Sequence, residues 1–152
     1  MNDTYVYDKA KYHDESVAQL GLPEQHAANH ALPILRWLIE NNLVSEFFKR
    51  ESGATLESFQ KGDSTIYDLY QWWDCCLIGM MLSKNGNRFS MHYFDFSKGA
   101  YIADYKQTLQ RNLPSEYCVT FSEENYAAIK AIIDTRYAAW QAHSSPWWKF
   151  WR

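Results

Sequence analysis

Cysteine is scarce. The chain holds three, Cys75, Cys76 and Cys118; two are adjacent, the count is odd and no C-x-x-C occurs. That excludes a disulfide framework and a cysteine-ligated zinc site, and points to reduced, mostly buried thiols. A basic excess is also missing, since the formal charge is −3. Nucleic-acid binders carry a clear positive surplus, so nucleic acid is not an expected partner. Weak acidity mildly favours a basic partner. The longest apolar stretch, near Cys75–Leu82, is far too short to span a bilayer. The opening MNDTYVYDKAKYHDE has no cationic segment followed by an apolar one. It does not read as a signal peptide, so the expected compartment is the cytoplasm. No G-x-S-x-G and no glycine-rich phosphate loop occurs.

Aromatic residues, in contrast, are abundant. Seven Trp, 11 Tyr and 8 Phe make up 17% of the chain. One small core does not need that much ring area. Part of it should lie at a surface, where Tyr and Trp serve partner contacts. The 152 residues fit a single domain, 1–152.

The pattern along the chain predicts a mainly α protein, a helical bundle with at most a short strand or hairpin. Residues 1–22 read as an irregular arm. Pro23 opens a helix carried by Ala27, Ala31, Ile34, Leu35, Leu38 and Ile39 to about Asn42, with Pro33 inside it as a bend. Ser45–Arg50 and Thr55–Lys61 read as two short helical turns, the second stopped by Gly62. Thr65 and Asp68 form a capping box that starts a helix toward Trp73. Lys84–Asn87 reads as a turn, Arg88–Phe96 and Ala100–Arg111 as helices, and Tyr117–Thr120 as an extended piece. Ser122 caps a last helix whose stripe is Tyr126, Ile129, Ile133, Tyr137 and Trp140. Residues 143–152 form a Trp-rich tail.

Four groups could carry chemistry. His26 and His30, four apart on a helix, would share one face and could both bind a metal. The zincin Glu beside the first His is Ala27 here, so metalloprotease chemistry is not supported. A different site could recruit Asp8, His13 or Asp14 from the arm, but no third ligand is evident from spacing, and no tightly bound metal or other cofactor is expected. Cys75 and Cys76 follow an acidic, aromatic segment, and acidic neighbours weaken a thiol nucleophile. The carboxylates of Asp95 and Asp104, or of Asp68 and Asp74, could pair, though a solvated face explains them as well. Finally, Trp147, Trp148, Phe150 and Trp151 alternate with Lys149 and Arg152 in the tail, as a strap over the core or as a protein interface.

Several segments together carry a resemblance. They are Tyr7-Asp8 with Tyr12-His13, Asn29-His30, Leu35–Trp37 with Asn42–Glu46, Leu56–Gly62, Asp74, Gly86–Tyr93, YIADY at Tyr101–Tyr105, LPSEY at Leu113–Tyr117, and Asp134–Trp140. In this order they resemble a bacterial family of small cytoplasmic proteins described as a domain of unknown function. Its members look like the immunity partners encoded beside polymorphic or contact-dependent toxins. The resemblance implies recurrent polar positions at Asp8, His13, His30, Asp74, Asp104 and Arg136, which could build a buried network holding the arm on the helices. Cys75–Leu82 and the Trp-rich tail depart from the family's pattern.

The functional expectation is a toxin-neutralising immunity protein that binds a basic, nuclease-like toxin without catalysis. The expected contact residues are Trp72, Trp73 and Asp74, with Trp147, Trp148 and Trp151. Asp8, His13, His30, Asp104 and Arg136 are expected to be structural. The alternatives are a metal-dependent enzyme built on His13, His30 and acids of the arm, and a homodimeric interaction module.

Overall fold

The computed structural model describes residues 3–144, and the tail tryptophans Trp147, Trp148 and Trp151 lie outside the described residues. The described chain is mainly α, with one two-stranded sheet. The arm is not irregular. It contains strand β1 (Val6–Lys9), a 3-10 turn over Ala10–His13 and helix α1 (Asp14–Gln19). β1 runs antiparallel to β2 (Cys76–Ile78), with Val6 opposite Ile78 and Lys9 opposite Cys76. The pairing spans some seventy residues, so neither short strand has a local partner that sequence could reveal. The register shifts between Val6 and Asp8. Tyr7 and Asp8 are both buried, where regular alternation would turn one of two neighbours outward.

The expected helix at 24–42 is divided. Glu24–Ala27 is a 3-10 turn and α2 is only Leu32–Glu40. Pro33 therefore lies in the first turn of α2, where its missing N–H leaves no bond unmade and bends nothing. α2 presents Leu32, Ile34, Leu35, Trp37 and Leu38 to the core. α3 (Glu46–Gln60) joins the two expected turns, broken at Gly53, whose φ of 45° and ψ of −119° no helix contains. Ser45 caps it by accepting the Phe48 N–H. Gly62, at φ 82°, follows its last turn, and Gly62 and Asp63 donate back to Phe59 and Ser58. The Thr65–Asp68 capping box is present and starts α4 (Ile66–Trp72).

Lys84–Asn87 is not a turn. Ser83 accepts the Gly86 N–H and caps α5 (Lys84–His92). Gly86 packs against the chain at Leu43, so close that a Cβ would sit 2.2 Å from the Leu43 carbonyl oxygen. Asn-Gly serves close helix packing here, which a local reading cannot separate from a turn. α6 (Tyr101–Tyr105) runs into a π-helical segment, Lys106–Gln110. The expected extended piece near Tyr117 is a 3-10 turn, Glu116–Cys118, entered where the Ser115 hydroxyl accepts the Tyr117 N–H.

α7 (Glu123–Ser144) buries Tyr126, Ile129 and Ile133, while Tyr137 and Trp140 are half-buried. The indole N–H of Trp37 donates to Asp134 at 2.8 Å and ties α2 to α7. Part of the ring surplus is interior: Trp37, Phe48, Tyr70, Phe89, Tyr93, Phe94, Tyr101 and Tyr105 are all buried.

Candidate functional site

The strand irregularity in β1 brings Asp8 inward. There it meets His13, at the end of the following 3-10 turn, and His30, in the turn that precedes α2. His13 Nε2 lies 2.7 Å from one carboxylate oxygen and His30 Nε2 lies 2.5 Å from the other. All three side chains are buried. An ionised carboxylate only accepts, so each Nε2 must carry the proton it donates to Asp8. Burial alone would raise the Asp8 carboxyl, but hydrogen bonds from His13 and His30 and their charges hold it well below its usual range.

Further contacts hold the rings. The Tyr117 hydroxyl is 2.8 Å from His13 Nδ1, and burial together with the charges of Glu116 and Asp8 pushes that phenol up to about 12. Phe96 packs on both imidazoles, with centroids 4.9 and 5.7 Å away. The Tyr101 hydroxyl donates to the His30 carbonyl at 2.7 Å and fixes the turn. His30 Nδ1 is buried and has no hydrogen-bond partner among the described residues.

His26 does not share a face with His30, because the segment between them is a 3-10 turn and not α-helix. Its Nδ1 lies 2.6 Å from the Tyr117 carbonyl oxygen. Asp14 is exposed at the start of α1.

Asp104 and Arg136 do not join this cluster. They form their own pair between α6 and α7, with the Tyr93 hydroxyl donating to Asp104 at 2.8 Å. Asp68 is engaged in its capping box, and Asp95 accepts from Tyr5 and Ser97. The suggested carboxylate pairs thus have separate partners.

At the surface, Trp72 and Phe47 flank Trp73. The centroid of Trp73 is 5.3 Å from Trp72 and 6.1 Å from Phe47. Trp73 itself is an anchor: it stacks on buried Phe48 and its indole N–H donates to Ser52 at 2.9 Å. Trp72 is 47% exposed and Phe47 37%. Phe47 also borders an open depression of about 420 Å³ shared with Asp3, Met80 and Leu82. Asp74, exposed, and Cys75 follow with φ of 55° and 52°, two successive non-glycine residues in the left-handed region. Such a turn costs of order 1–3 kcal/mol per residue and persists only where its surroundings impose it.

All three cysteines are half-buried, not fully enclosed. Burial, then the charges of Cys76, Glu24 and nearby acids, pushes the Cys75 thiol up to about 11. A cleft of about 970 Å³ lies between α2, the α3–α4 loop and the start of α7. Arg36, Glu40, Lys61 and Glu123 line it, and neither the Asp8 cluster nor Trp72 does.

Among the described residues no helix is long and apolar enough to cross a membrane. No curated protein and no solved structure matches the chain. A family described as a domain of unknown function (DUF7832) matches residues 6–119, well over half of the chain. The match contains Asp8, His13, His30, Trp72–Asp74 and Asp104, and stops before Arg136 and α7. The chain belongs to this domain-of-unknown-function family.

Proposed function

We propose that the chain is a non-catalytic protein-binding domain that neutralises a bacterial toxin by covering it, and that the contact surface is built on Trp72, Phe47 and the Asp74 turn. The observation that carries this reading is the exposure of two large rings on either side of an anchored third. Large aromatic side chains held at a surface by a rigid neighbour are the usual energetic centres of protein interfaces. The depression beside Phe47 offers a recess for a partner side chain. Asp3 contributes negative charge there, and the net charge of −3 favours a basic toxin. The strained Asp74–Cys75 turn supports the same surface, because strain of this kind concentrates where function fixes a conformation.

The competing enzyme reading has suitable residue types in Asp8, His13 and His30. Their burial counts against substrate access, and the clefts of about 970, 420 and 370 Å³ are lined by other residues. The test is co-expression with the product of the neighbouring upstream gene, read by pull-down and growth rescue. The proposal expects that product to be toxic alone, captured by this chain and neutralised by it. A harmless neighbour, or a toxic one neither bound nor neutralised, overturns the toxin reading.

A further inference from the structure

We infer that Asp8, His13 and His30 form a buried binding site for a divalent transition metal of the zinc type, which fastens the N-terminal arm to the helical body. One ligand atom from each residue converges, and these atoms all lie within 4.8 Å of one another. A tetrahedral zinc with bonds of about 2.0–2.1 Å sets its ligand atoms about 3.3 Å apart. His13 Nε2 and His30 Nε2 now stand 2.7 and 2.5 Å from the Asp8 oxygens, so an ion would spread these atoms apart on entering. Two imidazoles and one carboxylate are a donor set that zinc accepts, and a fourth position is left for a water.

Two features of the surroundings point the same way. Asp8 is a buried carboxylate whose ion-pair partners, among the described residues, are only the two histidines. Buried charges are paired or coordinate metals, and a divalent cation would add countercharge beyond what the histidines supply. Tyr117 stands behind His13 at Nδ1, on the far side of the ring from Asp8, where metal-bound histidines are held by an outer partner.

The ligands come from β1, the 3-10 turn after it and the turn before α2. A bound ion would cross-link these segments in the folded state only, so its binding adds to stability. The ligands are buried, which suits a structural ion. The sequence expectation pairs His30 with His26 and finds no third ligand by spacing, whereas the structure sets His13 and Asp8 beside His30.

The test uses the whole chain, stripped of metal by a chelator and titrated with cobalt(II) and zinc(II). The site predicts cobalt d–d absorption of tetrahedral intensity that saturates at one equivalent and is displaced by zinc. It also predicts a rise in Tm of about 5 °C or more at a hundredfold excess of zinc over Kd. Asp8→Asn and His30→Ala should abolish both signals, and His26→Ala, outside the cluster, should keep them. If the first two variants do not fold, the unaltered chain and His26→Ala decide. Absence of the cobalt bands and of any Tm rise in the unaltered chain overturns the site, as does binding that does not saturate or that His26→Ala removes. Either result would leave a hydrogen-bonded Asp–His–His triad without metal.

Discussion

Arg136 grips Asp104 with two hydrogen bonds, Nε to Oδ2 and Nη2 to Oδ1, both 2.9 Å. The Arg136 side chain is 50% exposed, while that of Asp104 is nearly buried. The asymmetry sets the energetics. Arg136→Ala should cost only about 1 kcal/mol, because a half-exposed ion pair is screened by water. Asp104→Ala should cost more, about 2–3 kcal/mol, because the buried Tyr93 hydroxyl loses its acceptor. Burial would raise the Asp104 carboxyl, but hydrogen bonds from Arg136 and Tyr93 and the Arg136 charge hold it below its ordinary 3.8. A lowered native pKa gives stability that is complete above 3.8 and is lost as the pH falls through the lower native value. Urea unfolding should therefore show the gap between the parent protein and Arg136→Ala at neutral pH closing in strong acid. A loss of several kcal/mol for Arg136→Ala would contradict this account of the pair.

Gly86 touches the Leu43 carbonyl so closely that no side chain fits. Gly86→Ala should cost about 2–3 kcal/mol, as overpacking does when the neighbour is backbone and cannot rotate away. Asn85→Ala, one residue earlier and exposed, should shift the urea midpoint little. Equal effects of the two changes would show that the close approach is not what requires glycine.

Cys75 should be a slow thiol. With its pKa pushed to about 11, little of it is thiolate at pH 8, and the thiolate is the reactive form. In a protein carrying Cys76→Ser and Cys118→Ser, where the Cys76 charge no longer contributes, alkylation by iodoacetamide should accelerate with pH along a titration still centred above the ordinary thiol value of 9, because burial remains. A midpoint near the ordinary thiol value would remove the burial argument.

Local signals were legible in the sequence wherever the chain's neighbours decide the structure. The Thr65–Asp68 capping box, the Ser122 cap, the Gly62 stop and the Tyr126–Ile129–Ile133 stripe all rest on residues three or four apart. Three features depend on distant partners and were not legible. β1 and β2 pair across the chain, so the arm read as irregular. Asn85-Gly86 looked like a turn because its reason is Leu43, far away in sequence. Pro33 looked like a kink because the start of α2 at Leu32 carries no side-chain cap to mark it.

The site divides in the same way. Asp8, His13 and His30 were named as members of one set, through the family resemblance and not through any spacing. Their separation from Asp104 and Arg136 follows from which helices pack together, and no sequence interval encodes that. The roles of Tyr117 at His13 and Tyr93 at Asp104 went unread. Tyr117 lies about a hundred residues from His13, and Tyr93 is one of eleven tyrosines without a distinguishing motif.

The central claim is that Trp72 is a contact residue and Trp73 a structural one, and one paired measurement tests it. Trp72→Ala and Trp73→Ala are each assayed for thermal unfolding and for affinity toward the toxin captured in co-expression. Trp72→Ala should keep its Tm within a degree or two, because nearly half of the side chain is in water, and should lose at least thirtyfold in affinity, the equivalent of a hot spot of ~2 kcal/mol. Trp73→Ala should lower the Tm, since it removes the ring stacked on Phe48 and the hydrogen bond to Ser52. If Trp72→Ala binds as tightly as the parent protein, this surface is not the interface and the account is contradicted.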